Sequence, residues 1–153
     1  MKRGLTTARE DARAEWRDRL DPGLVEVAEA GRRLGAAEYV KASLARGAFH
    51  ETVRRFMAGF DLLLTPTLPV PAFAAGAERP AACPAGSRLG WAAFTYPFNL
   101  TGHPAATIPC GFTRDGLPIG LQIVGRRLED ATVLRAARAY EGAAPWAPLR
   151  PQL

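Results

Sequence analysis

Serine is almost missing from this chain of 153 residues: Ser43 and Ser87 are the only two, so any serine-nucleophile mechanism has just two candidates. Cysteine is equally sparse, and Cys83 and Cys110 are too few for a disulfide framework or a cysteine-based zinc site. Histidine stops at His50 and His103, and no metal-ligand spacing can be built from residues so far apart. No apolar run approaches the ~20 residues of a membrane span. The amino terminus, Met1-Lys2-Arg3-Gly4 and onward, carries charge but no apolar stretch of a secretory signal. A cytoplasmic location with no membrane partner is the expectation.

What is present has the balance of a globular protein, 48% hydrophobic and 23% charged, and the length of one ordinary domain. The net charge of +5 invites a nucleic-acid reading. Its distribution argues otherwise: residues 1–60 hold twelve Lys/Arg against nine Asp/Glu, and residues 61–153 eight against six. Acids are interleaved throughout, so no block forms a single-sign field, and no nucleic-acid partner is expected.

Along the chain, the Arg-rich first twenty residues suit a solvated helix that ends before Asp21-Pro22-Gly23, read as a turn. An amphipathic helix follows from Leu24, with Leu24, Val27, Ala28 and Leu34 near one stripe. After Gly35 a second helix is predicted from about Ala36 to Gly59. Phe49, Val53, Phe56, Met57 and Phe60 share a large face that must pack on something, while Glu51, Arg54 and Arg55 point away. His50, among Arg46, Glu51 and Arg54, is expected to be solvated. Asp61 to Pro66 reads as a buried strand of a parallel or mixed sheet, with Asp61 capping or bonding backbone. Residues 66–90 form a Pro/Ala-rich loop, longer than the ~12–15 residues usual in compact domains. Trp91 to Leu100 is a short helix or an aromatic connector.

Two strands, Ala106 to Phe112 and Pro118 to Val124, are joined through Asp115-Gly116, a hairpin signal. Pro109 cannot donate to a ladder, which places an edge or a bulge there. A final helix from about Glu129 to Glu141 turns Val133, Ala136, Ala137 and Tyr140 inward and Arg135 and Arg138 outward. Gly111, Gly116, Gly120 and Gly125 make no phosphate-loop pattern with lysine and read as turn and bulge residues.

Five segments, in order, then resemble one family. They are Phe60-Asp61-Leu62-Leu63-Leu64-Thr65-Pro66-Thr67; Pro97-Phe98-Asn99-Leu100-Thr101-Gly102-His103-Pro104-Ala105-Ala106; Ile108-Pro109-Cys110-Gly111; Gly116-Leu117-Pro118-Ile119-Gly120-Leu121-Gln122-Ile123-Val124-Gly125; and the closing helix. Over roughly residues 20–142 the series resembles the C-terminal part of the amidase signature family. The resemblance implies an α/β fold, part of the family's α/β/α domain with a mixed sheet flanked by helices. Residues 1–153 would be a partial domain of that kind. It also implies hydrolysis of carboxylic amides to acid plus ammonia or amine, without a cofactor. The family's Ser–Ser–Lys triad and the backbone amides of its oxyanion hole lie in an N-terminal half.

This chain has no glycine- and serine-rich loop. Ser43 stands two residues from Lys41 on a helix, where i and i+2 side chains do not face each other, and Ser87 has no lysine near it. No catalytic residue is assigned. Amidotransferase members carry an acid just before the Phe94-Thr95-Tyr96-Pro97 stretch; here Gly90-Trp91-Ala92-Ala93 has none, which fits a general amidase better. Trp91, Phe94 and Tyr96 either wall an apolar substrate pocket or pack in the core. His103 beside Cys110 offers a cysteine–histidine pair, against which the Pro-Cys-Gly context favours a buried, inert thiol.

The expectation is a C-terminal amidase fragment, inactive alone. The alternative is a non-catalytic interaction module, or a split-enzyme half that complements a separate N-terminal amidase chain. Expected partners are such a half or further copies of the chain, with a small-molecule amide as the substrate of the full-length enzyme.

Overall fold

A computed structural model describes residues 19–77, 79–81, 90–146 and 148, so the expected helix over the first twenty residues lies almost wholly outside it. The chain divides into two compact units, residues 1–46 and 47–153.

In the first unit, helix α1 is Pro22–Arg32. The Asp21-Pro22-Gly23 stretch, expected as a turn, opens this helix. Asp21 Oδ1 accepts the Leu24 amide at 2.9 Å, and Pro22, with its fixed φ and no N–H to satisfy, suits the first turn. Helix α2, Ala36–Met57, opens with Glu38 reaching back to the Gly35 amide at 2.8 Å. Its residues are shared between the two units.

The second unit holds strand β1 (Leu62–Pro66), a 3-10 turn (Gly90–Ala92), helix α3 (Tyr96–Thr101), strands β2 (Ala105–Phe112) and β3 (Pro118–Gly125), and helix α4 (Asp130–Ala143). The described strands form a sheet of order β1-β3-β2, with both pairings antiparallel. Leu64 stands opposite Ile123, and Ile108 opposite Leu121. The β2–β3 hairpin closes where the Thr113 amide reaches the Leu117 carbonyl at 2.8 Å. Its register shifts between Pro109 and Gly111, the irregularity expected of a proline that has no N–H for the ladder.

The expected inner stripe of α4 does pack on this hairpin. Val133 joins Ile108 and Ile123 in the core, with Ala136, Ala137 and Tyr140 against it. Gly125 sets how closely the helix approaches: a Cβ there would lie 2.6 Å from Val133 Cγ2.

Two expectations need correction. β1 is not a strand buried on both faces in a parallel or mixed arrangement. Among the described residues it has one neighbour, β3, and Leu64 is 58% exposed. The aromatic face of α2 and of Phe60 just beyond it is also largely uncovered: Phe56 and Phe60 are 51% and 52% exposed, their rings tilted against each other with centroids 5.1 Å apart, and only Met57 is buried. A helical stripe identifies a face that wants burial; it does not supply the partner.

Candidate functional site

The segment carrying Trp91, Phe94 and Tyr96 is fixed by short-range bonds. The Thr95 amide and hydroxyl both donate to the Ala92 carbonyl, each at 3.1 Å, and Pro97 lies in the first turn of α3. Helix α3 stops at Gly102, whose φ of 68° lets its amide return to the Phe98 carbonyl at 2.8 Å.

Trp91 is half-buried and meets Phe73 edge-on, centroids 5.5 Å apart. Tyr96 is half-buried, and Phe94 is exposed. The Phe94 carbonyl accepts the buried Gln122 Nε2 at 2.9 Å, and the same nitrogen reaches Thr65 Oγ1 at 2.9 Å. Gln122 thus straps β1 and the aromatic segment to β3. Sequence reasoning missed this role, although a lone amide in an apolar strand is a signal, because a buried amide must find partners.

A groove of about 630 Å³ runs beside this region, between residues 67–72 and the β2–β3 hairpin. Leu68, Val70, Pro109, Pro118 and Ile119 give it apolar walls, and Thr67, Thr107 and Thr113 provide hydroxyls. Among the described residues its lining has no titratable side chain and does not include Trp91, Phe94 or Tyr96. Its apolar walls suit an apolar group.

The histidines and cysteines are placed differently from expectation. Cys110 is exposed, not buried, with its Sγ 3.5 Å from the Ile119 carbonyl. It lies on β2, an edge strand among the described residues, where alternate side chains leave the core. His50 is not solvated: it is half-buried, and its Nδ1 lies 2.8 Å from the Thr101 carbonyl. His103 is buried with Nδ1 2.8 Å from Thr101 Oγ1, and its ring centroid is 6.0 Å from that of His50. The hydrogen-bond partner of His103 is Thr101, with the His50 ring beside it, while the thiol of Cys110 bonds the Ile119 carbonyl. Burial pushes the His103 imidazole below its ordinary 6.5, with the nearby His50 and Arg127 adding to the effect.

The remaining polar groups are structural in position. Asp61 accepts from the Arg126 guanidinium at 3.0 Å rather than from backbone. Arg126 Nε donates to the carbonyls of Phe60 at 2.9 Å and Met57 at 3.4 Å, placing a cation at the C-terminal end of α2. Ser43 gives its hydroxyl hydrogen to the Tyr39 carbonyl at 2.8 Å, one turn back on α2. Ser87 and Cys83 lie outside the described residues. Among the described residues no group of three or more His, Cys, Asp or Glu side chains is placed to hold a metal ion. No helix among them is long and apolar enough to cross a membrane.

The Amidase family model matches residues 7–134. An acylamidase of Rhodococcus erythropolis is 38% identical over 139 residues, 88% of this chain and 29% of that protein. A glutamyl-tRNA(Gln) amidotransferase subunit from Myxococcus xanthus is 45% identical over 107 residues, 69% of this chain and 21% of its own length. Among solved structures, an amidase crystal structure superposes with a TM-score of 0.76 at 32% identity, covering 88% of this chain and 31% of that one. The chain spans under a third of the length of these relatives.

Proposed function

The chain belongs to the amidase family, and on that premise we propose that it is the C-terminal portion of an amidase signature enzyme and is inactive alone. The observation that carries this reading is the coverage: 88% of the chain aligns with 29% of an acylamidase. A Ser–Ser–Lys triad in the uncovered portion would hydrolyse a carboxylic amide to acid plus ammonia or amine, with no cofactor. This chain would contribute outer helices, sheet strands and part of the pocket wall, with Trp91, Phe94 and Tyr96 as the side chains offered to the substrate.

Ser43 supports the inactivity half of the reading. Its hydrogen is engaged by a helix carbonyl, and a nucleophile needs a base within about 3 Å to take that hydrogen. In the same reading residues 1–153 form one partial domain, with the Pro/Ala-rich loop at 66–90, and the protein works in the cytoplasm.

The exposed Phe56–Phe60 pair and the one-sided β1 favour a second reading, a half that associates with a separately made N-terminal amidase chain or with copies of itself. The amidotransferase relative is itself named as a subunit.

One assay separates these readings. Ammonia and amine release from aliphatic and aryl amides is measured for the purified chain, alone and mixed with an N-terminal amidase portion bearing the triad. No turnover in either case is expected of a fragment; turnover only in the mixture identifies a complementing half. Turnover by the chain alone that disappears on Ser43→Ala, Ser87→Ala or Cys110→Ala overturns the proposal.

A further inference from the structure

Thr101 and His103 lie in one of the segments that resemble the family, yet the His50–Thr101–His103 cluster has no role in the proposed hydrolysis. Thr101 is the pivot. Its carbonyl, at the last residue of α3, has no partner further along that helix and accepts from His50 Nδ1 at 2.8 Å. Its hydroxyl gives its one hydrogen to the Pro97 carbonyl at 2.9 Å, leaving a lone pair to accept from His103 Nδ1 at 2.8 Å. Both imidazoles therefore hold hydrogen at Nδ1, and in the neutral state both lone pairs stand at Nε2.

The cluster bridges residues 51 apart in sequence and fastens the second half of α2 to the junction of α3 and β2. His103 is 6% exposed. The charges bearing on it are His50 from α2 and Arg127 from the turn after β3, while α3 presents the Thr101 dipoles and β2 opens with Ala105 and Ala106. A proton at Nε2 of His103 would thus be buried beside a second imidazole and a guanidinium.

We propose that the cluster is an acid-sensitive clasp: with His103 Nε2 bare, the His50–Thr101 bond holds the second half of α2 to the α3–β2 junction, and a proton on His103, beside the His50 ring, releases it. The direction follows from linkage. A histidine whose folded titration lies below 6.5 binds fewer protons folded than unfolded, so its contribution is complete above 6.5 and is lost as pH falls below it.

The test uses the full chain. Histidine ring signals are titrated by NMR, and amide exchange over residues 47–57, corrected for intrinsic rates, is followed from pH 7.5 to 5.0. His103 is expected to titrate below 6.5. Protection of α2 should fall by up to roughly tenfold for every pH unit between that midpoint and 6.5. His103→Gln should remove this fall, since its amide can still donate to Thr101 but does not titrate. Arg127→Gln should raise the His103 midpoint.

A wild-type midpoint at or above 6.5 overturns the proposal, and so does an unchanged loss of protection in His103→Gln. Should the Gln variant fail to fold, the wild-type titration and the Arg127→Gln shift decide. None of these readouts depends on amide hydrolysis.

Discussion

Two helices of this chain carry apolar stripes of similar design and meet opposite fates. The stripe of α4 is buried on the hairpin that precedes it, with Val133 reaching Ile108 and Ile123. The stripe of α2 and the residues just after it leave Phe56 and Phe60 half exposed, their rings 5.1 Å apart. The difference lies in what stands next to each helix. The strands that cover α4 end five residues before it begins, between Gly125 and Asp130. Among the described residues, no element gives the α2 face comparable cover. The stripe of α4 meets its partner next to it in the chain and is buried, whereas that of α2 remains an available surface.

The contrast can be broken at its buried end. Ile123→Ala removes the centre of the α4 core and should cost about 2–5 kcal/mol, read as a lower urea midpoint. An effect near zero would mean that the hairpin–α4 unit is no better packed than α2. Gln122→Leu should cost less, roughly 1–3 kcal/mol, by leaving the Thr65 hydroxyl and the Phe94 carbonyl without their amide donor. Loss of the order around Trp91 and Phe94, visible as a shifted Trp fluorescence maximum, should accompany it.

Phe56→Ser with Phe60→Ser sharpens the other side. Surface changes of this kind are usually within about 0.5 kcal/mol, so the midpoint should scarcely move while self-association, followed by light scattering, declines. A core-sized destabilisation would show that the face is covered after all.

The smallest effect belongs to the polar side of α2. Hydrogen bonds from Arg54 first, then Arg55, hold the Glu51 carboxyl down at about 2 against an ordinary 4.5. Any contribution is complete above 4.5 and fades as pH falls toward 2, and contact with solvent makes it slight. Arg54→Ala should raise the Glu51 titration more than Arg55→Ala does, as measured by carboxyl NMR.

Features set by neighbouring residues were legible in the sequence: the hairpin at Asp115-Gly116, the bulge forced by Pro109, and the inward face of α4. Asp21-Pro22-Gly23 was not, because the same three residues serve a turn or a helix start. What decided between them was whether the Asp21 carboxylate met the Leu24 amide. The pairing of β1 with β3 and the His50–His103 cluster were also hidden. Each joins segments some fifty or more residues apart, and no local period reports which strand lies beside which or which helix end faces an imidazole. Cys110 misled because a small apolar context suggests burial, whereas edge position and alternation sent its thiol outward.

The spacing at Gly125 has a mechanical corollary. Besides Val133 of α4, a side chain there would meet the Glu129 carbonyl at 3.4 Å and Pro104 Cγ at 3.5 Å, and the Gly125 amide already bonds the Pro104 carbonyl at 2.9 Å. One hydrogen atom therefore serves as the spacer for helix, turn and strand entry together. Because Pro104 adjoins His103, any thickening of that spacer displaces the seat of α4 and the mounting of the imidazole in a single movement. The two are geared to each other through a residue that has no side chain.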